Sequence, residues 1–145
     1  MKLIYFITAL LLSAFTTPLQ AADDLRQRVE LPPMMRLHMM SNMRDHLLAF
    51  AEIQQALANN AFDQAADIAE TRLGMTSLKA HGAEHMAGFM PKAMQDTGNN
   101  MHHAASQFAV IAQNSAVTGD MKAPLAALAA ITQQCVACHT AFRVQ

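Results

Sequence analysis

The residues best equipped for chemistry sit near the C-terminus, in the run Cys135-Val136-Ala137-Cys138-His139. Cys135 and Cys138 are the only two cysteines of the chain. A disulfide between them could not staple distant segments, so the pair must serve local chemistry. A thioredoxin-like redox pair accompanies a βαβ pattern, and this sequence has none. A structural zinc site needs further ligands at fixed spacing, and no second C-x-x-C exists. The trailing histidine points elsewhere, because C-x-x-C-H is the attachment pattern for haem c. Its two thiols add across the two vinyl groups of one haem and fix the ring against the backbone. The adjacent imidazole then reaches the iron from one face. One covalent haem c is therefore the expected cofactor, held by Cys135 and Cys138, with His139 as the proximal iron ligand.

A helix is the element that must carry this motif. Leu128, Thr132, Cys135, His139 and Arg143 recur at steps of three and four and would share one face. Cys138 lies about 100° round from His139. Leu125, Leu128 and Ile131 would supply apolar surface nearby. The rest of the chain is rich in Ala, Leu, Met and Gln, which favour helices, and alternating strand patterns are missing. The first helix is predicted from Pro33, since proline suits a helix's first position, to about Asn59. Its buried stripe would be Met39, Met43, His46, Phe50, Ile53 and Leu57. A short second helix runs from Phe62 to about Leu73 and stops at Gly74. Gly82, Gly88 and Pro91 break up residues 74–95. The third helix runs from about Thr97 to Ser115, with Met101, Ala105, Phe108 and Ile111 on one face. Asp120 can cap a fourth from about Met121 to Phe142. The fold expected is all-α, an antiparallel four-helix bundle with the haem beside the C-terminal helix.

The start of the chain reads as an address. Lys2 precedes a 13-residue apolar run from Leu3 to Phe15, Pro18 breaks it, and Ala21 and Ala22 follow. This is the layout of a secretory signal peptide over residues 1–21, cleaved near Ala21/Ala22. The run is too short to span a bilayer, which takes about 20 apolar residues. Residues 22–145 then form one exported domain, periplasmic and soluble, with no membrane span after signal removal. Ten basic residues face eleven acidic ones, and no basic stripe marks a nucleic-acid footprint. No nucleophilic serine motif or paired-carboxylate signature is present, so the chain is not expected to be an enzyme.

The ending Cys135-Val136-Ala137-Cys138-His139-Thr140-Ala141-Phe142-Arg143 resembles the four-helix cytochromes of the cytochrome c-prime family and their low-spin relatives. Those carry C-x-x-C-H, two variable residues, Tyr or Phe, and Arg close to the C-terminus. The short second helix opening on Phe62-Asp63 and the irregular stretch after it also fit. The resemblance implies thioethers at Cys135 and Cys138, His139 as proximal ligand, and Arg143 adjacent to the haem. The family varies on the distal face, presented by the first helix. An apolar residue there leaves the iron open to small gases, and a methionine closes it for electron transfer. Aligning Arg36-x-x-x-Met40 places Met40, or its neighbour Met39, near the iron, with Met35 and His38 still open. His–Met ligation would raise the reduction potential.

The function expected is electron transfer to periplasmic redox partner proteins. One alternative is binding of nitric oxide or carbon monoxide at an open five-coordinate haem. Another is copper handling, because seven histidines and twelve methionines are many for this length. His81 and His85 at i, i+4, the trailing Met86, Met90 and Met94, and His102-His103 after Met101 are soft donors suited to copper. His46 is expected as a satisfied core or haem-edge histidine. Family members often pair through their first helices, and Leu37, Met40, Leu47 and Ala51 leave a second apolar face there for a homodimer.

Overall fold

The structure, a computed structural model, describes residues 23–145. The expected signal peptide and its cleavage point lie outside the described residues. Proline and glycine punctuate the rest. After a three-residue strand β1 (Gln27–Val29), Pro32 sits extended at φ −52° and ψ 146° and helix α1 (Pro33–Ala58) starts on the next residue. Asn60 turns the chain with φ 57°. Helix α2 (Phe62–Arg72) follows, then a 3₁₀ turn (Met75–Leu78) and the five-residue α3 (Ala83–Ala87). Pro91 starts α4 (Lys92–Thr118), and Gly119, in the left-handed region at φ 72°, ends it. Such a backbone favours glycine because it has no Cβ to clash. Helix α5 (Lys122–Ala141) runs into a final strand β2 (Phe142–Val144).

The chain is predominantly helical, as its composition predicts. Four details differ from the sequence reading, the first being that α4 ends at Thr118 and not at Ser115. Helix α4 begins five residues earlier than Thr97, since Pro91 supplies the start and Met94 gains burial inside the helix. Gln95 Nε2 donates to the carbonyls of Ala87 and Met90 at 2.8 and 2.9 Å, tying that first turn to the preceding loop. Asp120 Oδ1 accepts from the Lys122 amide at 2.8 Å from one residue before the cap position, which Met121 occupies. The last difference matters most. The last helix stops at Ala141, and β2 pairs in parallel with β1, matching Gln27 to Phe142, Arg28 to Arg143 and Val29 to Val144. Arg143 is therefore on a strand and not one helical turn after His139. Three residues of strand are too few for alternation to reveal, and the pairing joins opposite ends of the domain.

Packing runs in series: α1 on α2, α2 on α4, and α4 on α5. The main core gathers Ile53 and Leu57 of α1, Ala65 and Ala69 of α2, Phe108 of α4, and Leu128 and Ile131 of α5. Leu125, expected to join them, is 50 % exposed. A smaller apolar cluster lies apart, formed by Val29, Leu31, Met39, Met86, Met94 and Phe142. The cause of the separation is length. Helix α2 has 11 residues against 26 in α1 and 27 in α4, and after Arg72 only loose turns accompany the N-terminal half of α1. Arg72 fastens the end of α2 to α1 through the carboxylates of Asp45 and Glu52, and its Nη2 donates to the Asp45 carbonyl at 3.2 Å. That guanidinium holds the Asp45 carboxyl below its ordinary range. Among the described residues, no helix is long and apolar enough to cross a membrane.

Phe108 is fully buried in the main core, and Val110, two residues on, is more than half exposed. Phe108→Ala should cost about 3–5 kcal/mol in urea unfolding followed by helical circular dichroism. Val110→Ala should stay within about 0.5 kcal/mol. Equal losses would show that the core does not lie where these helices pack.

Candidate functional site

Where α2 leaves α1 unaccompanied, a cavity of about 820 Å³ opens. Helix α1 lines it with Met39, Met40 and Met43, the turns with Met86 and Met90, and α4 with Met94 and Met101. Thioether side chains suit an irregular wall, because they are flexible and polarizable. The C-terminal end of α5 and β2 contribute Cys138, His139, Phe142 and Arg143. Arg26, Arg36, Arg44 and Arg143 border the cavity against one carboxylate, Asp96. The space is thus apolar inside and cationic at its polar edge. Its size falls within the range of roughly 300–1,000 Å³ usual for ligand and cofactor sites.

Cys135 and Cys138 lie one helical turn apart, both half-buried and both free thiols. Cys135 packs against the main core and Cys138 against the smaller cluster, so the pair bridges the two. Burial raises the pKa of both thiols. Redox-active C-x-x-C cysteines work the other way, with pKa values lowered towards the thiolate, often at a helix N-terminus. Here the thiols occupy the last two turns of α5, where the helix dipole disfavours an anion. The local electrostatics therefore oppose the dithiol-redox use of this motif.

The ends of the domain are clasped beside His139. Arg26 binds Asp24 through Nε and Nη2 at 2.9 and 2.7 Å, and its Nη1 donates to the His139 carbonyl at 3.3 Å. Arg26 holds the Asp24 carboxyl down at about 2. Arg143 Nε lies 3.4 Å from Asp24 Oδ2 without hydrogen-bond geometry and is otherwise an unpaired buried donor. Although Arg143 leaves the helix, the strand returns it to the cavity beside His139.

The residues expected on the distal face separate cleanly. Met39 is 7 % exposed and shares a cluster with Cys138 and Phe142, while Met40 is 38 % exposed. Both line the cavity. Met35 packs against the smaller cluster, and His38 turns to donate from Nε2 to the His81 carbonyl at 2.9 Å.

The structure divides the remaining histidines differently from their sequence pairing. His85 and His103 are exposed, whereas His81 and His102 are buried and meet His46 of α1. The ring centroids stand 4.8 Å apart for His46–His81, 5.4 Å for His81–His102 and 6.1 Å for His46–His102. All three line the cavity. Sequence reasoning missed this cluster, because its members come from three segments with no common period. The one available signal was the surplus of histidine. His46, expected to be satisfied, has a buried Nε2 with no hydrogen-bond partner. Desolvation by burial, helped by the neighbouring His81 and His102, pulls its pKa from 6.5 to about 4, and burial lowers those of His81 and His102 too. Among the described residues, no group of three or more His, Cys, Asp or Glu side chains is already arranged to hold a metal ion.

These shifts carry a pH dependence. Unfolded His46 takes a proton near pH 6.5, but the folded protein resists until about pH 4, so the unfolded state binds more protons in that window. Stability should be fully present above pH 6.5 and fall as pH drops towards 4, by about 3 kcal/mol at most from this residue. Asp45 opposes the shift, and Arg72, His81 and His102 reinforce it. Urea unfolding between pH 4 and 7 should give a shallower slope for His46→Phe than for the wild type; an unchanged slope would locate the acid sensitivity elsewhere. Compared with family models, with curated proteins and with solved structures, the chain matches none.

Proposed function

We propose that the chain is an exported c-type cytochrome that carries one covalent haem c and transfers electrons in the periplasm. The observation that carries this reading is the placement of Cys138 and His139 on an apolar, methionine-lined cavity with arginines at its edge. The residues present fit the group. An apolar macrocycle suits the methionine wall, two propionates suit Arg26, Arg36, Arg44 or Arg143, and the thiols and imidazole come in the attachment order. In this reading the helices form an antiparallel four-helix bundle like that of the cytochrome c-prime family, which the ending Cys135 to Arg143 resembles.

Bound haem supplies a one-electron iron(III)/iron(II) couple. Cys135 and Cys138 would hold it through thioether bonds, and His139 would be an iron ligand. The buried Nε of Arg143, ion-paired with Asp24 but without a hydrogen bond, would offer a donor to an anionic group entering the cavity. Met39 would be a better second iron ligand than Met40, because it is the more buried and sits in Cys138's cluster. A methionine wall would lower the polarity around the iron, which with a thioether ligand would raise the reduction potential. Redox partners would approach the arginine-bordered edge, and a homodimer through α1 would cover its exposed Leu37 and Leu47.

The test is the visible spectrum of protein made in a host that matures c-type cytochromes. Sharp, split bands in the reduced state, unmoved by carbon monoxide, are expected. Met39→Ala should open the iron to carbon monoxide and Met40→Ala should not. Cys135→Ala with Cys138→Ala should leave a chain without covalent haem staining on a denaturing gel. Broad bands that shift with carbon monoxide in the wild type would replace electron transfer by gas binding. No haem at all would overturn the proposal.

A further inference from the structure

Three segments without common periodicity bring His46, His81 and His102 to one wall of the cavity. Three imidazoles on a tetrahedral ion, at metal–nitrogen distances of about 2.0–2.1 Å, place their ring centroids roughly 5 Å apart. The observed separations of 4.8, 5.4 and 6.1 Å bracket that spacing.

Hydrogen bonding also selects which nitrogen each ring presents. The Leu73 carbonyl can only accept, so His102 donates from Nδ1 at 2.7 Å and keeps a lone pair on Nε2. Ser77 Oγ spends its proton on the Gly74 carbonyl at 2.7 Å. At 3.3 Å it therefore accepts from His81 Nδ1, which again leaves the Nε2 lone pair. The buried Nε2 of His46 has no partner at all. Metal-binding histidines characteristically give their other ring N–H to a carbonyl or similar acceptor, which fixes tautomer and orientation. The same pattern appears here at two of the three rings.

The backbone around His81 is held as well. Its carbonyl accepts from Asn42 Nδ2 at 3.0 Å and from His38 Nε2 at 2.9 Å, and Gly82 turns the chain at φ 63°. On α1, Met43 lies one turn before His46 and lines the same cavity, a thioether within helical register of the cluster. Imidazoles suit zinc and copper, and an added thioether favours Cu(I). Among the described residues no three such side chains are already arranged around an ion, so the rings must rotate to bring their Nε2 atoms to one point.

We infer that His46, His81 and His102 form a binding site for one copper or zinc ion, in the cavity that Cys138 and His139 also line. It does not rest on the haem proposal, since its ligands come from α1, the turns and α4.

The test titrates the purified full chain with buffered Cu(I), anaerobically, and separately with Zn(II), against a competing chelator. The nitrogen resonances of the histidine rings and the visible spectrum are followed together. One equivalent of at least one of the two metals should bind and shift the Nε2 signals of His46, His81 and His102, leaving His85 and His103 unmoved. His46→Phe and His102→Phe should each weaken binding at least 100-fold. Ser77→Ala, which touches the ion only through His81, should weaken it 10–100-fold. His85→Gln with His103→Gln should bind as the wild type does. Because a phenylalanine at either site could disturb packing, the wild-type resonance shifts stand as an independent readout. Binding carried by His85 or His103, shifts that appear only together with changes in haem bands, or no binding of either metal would each overturn the inference.

Discussion

The interaction on which the rest depends is the packing of α2 between α1 and α4, and its early end at Arg72. A helix of 11 residues cannot fill the space between neighbours more than twice its length. Below Arg72 the small alanine faces of α2 let α1 and α4 share one dry core around Ile53 and Phe108. Above it the two long helices continue with nothing regular between them. The turns of residues 74–91 wrap around that space without filling it, so a cavity is the direct consequence of one short element.

What borders the cavity follows from its having to remain apolar and yet open. Methionine can line such a space without the shape constraints of branched side chains, and α1, α4 and the turns all supply it. The polar groups gather where solvent reaches. Arg26, held by Asp24, ties β1 to the end of α5 through the His139 carbonyl, while Arg143 is brought beside the same Asp24 by β2. The two cysteines span the boundary between the packed core and the cavity-side cluster. A group attached there would be joined to both parts of the structure. The raised thiol pKa values follow from that half-buried position and separate this C-x-x-C from a redox pair.

The histidine cluster shows the same constraint acting on charge. Three imidazoles this close and this buried resist protonation, because each charged ring would lose solvation and repel its neighbours. Arg72 draws the end of α2 onto Asp45, and so sets the height on α1 at which His46 meets the other two rings. The contact that closes the core thereby also positions the cluster.

Much of this was legible in the residues themselves. The helix starts at Pro33 and Phe62 and the buried faces of Met101, Ala105 and Phe108 all follow from local rules: ring constraints and a 3.6-residue period. The motif Cys135 to His139 was likewise visible, because its chemistry depends on adjacency in the chain. Other features depended on contacts between distant segments. Residues 142–144 are a strand only because residues 27–29 lie alongside, and the helical face drawn through Arg143 ended at Ala141 for that reason. Nothing local separates Met39 from Met40, since adjacent residues differ by about 100° around a helix and only the neighbours decide which is buried. His81 paired with His85 in sequence but with His46 and His102 in space. The sequence by itself determined most of the helices and the C-x-x-C-H motif; tertiary packing decided the cavity, its lining and the meeting of three histidines, because burial is a property of the neighbours and not of the residue.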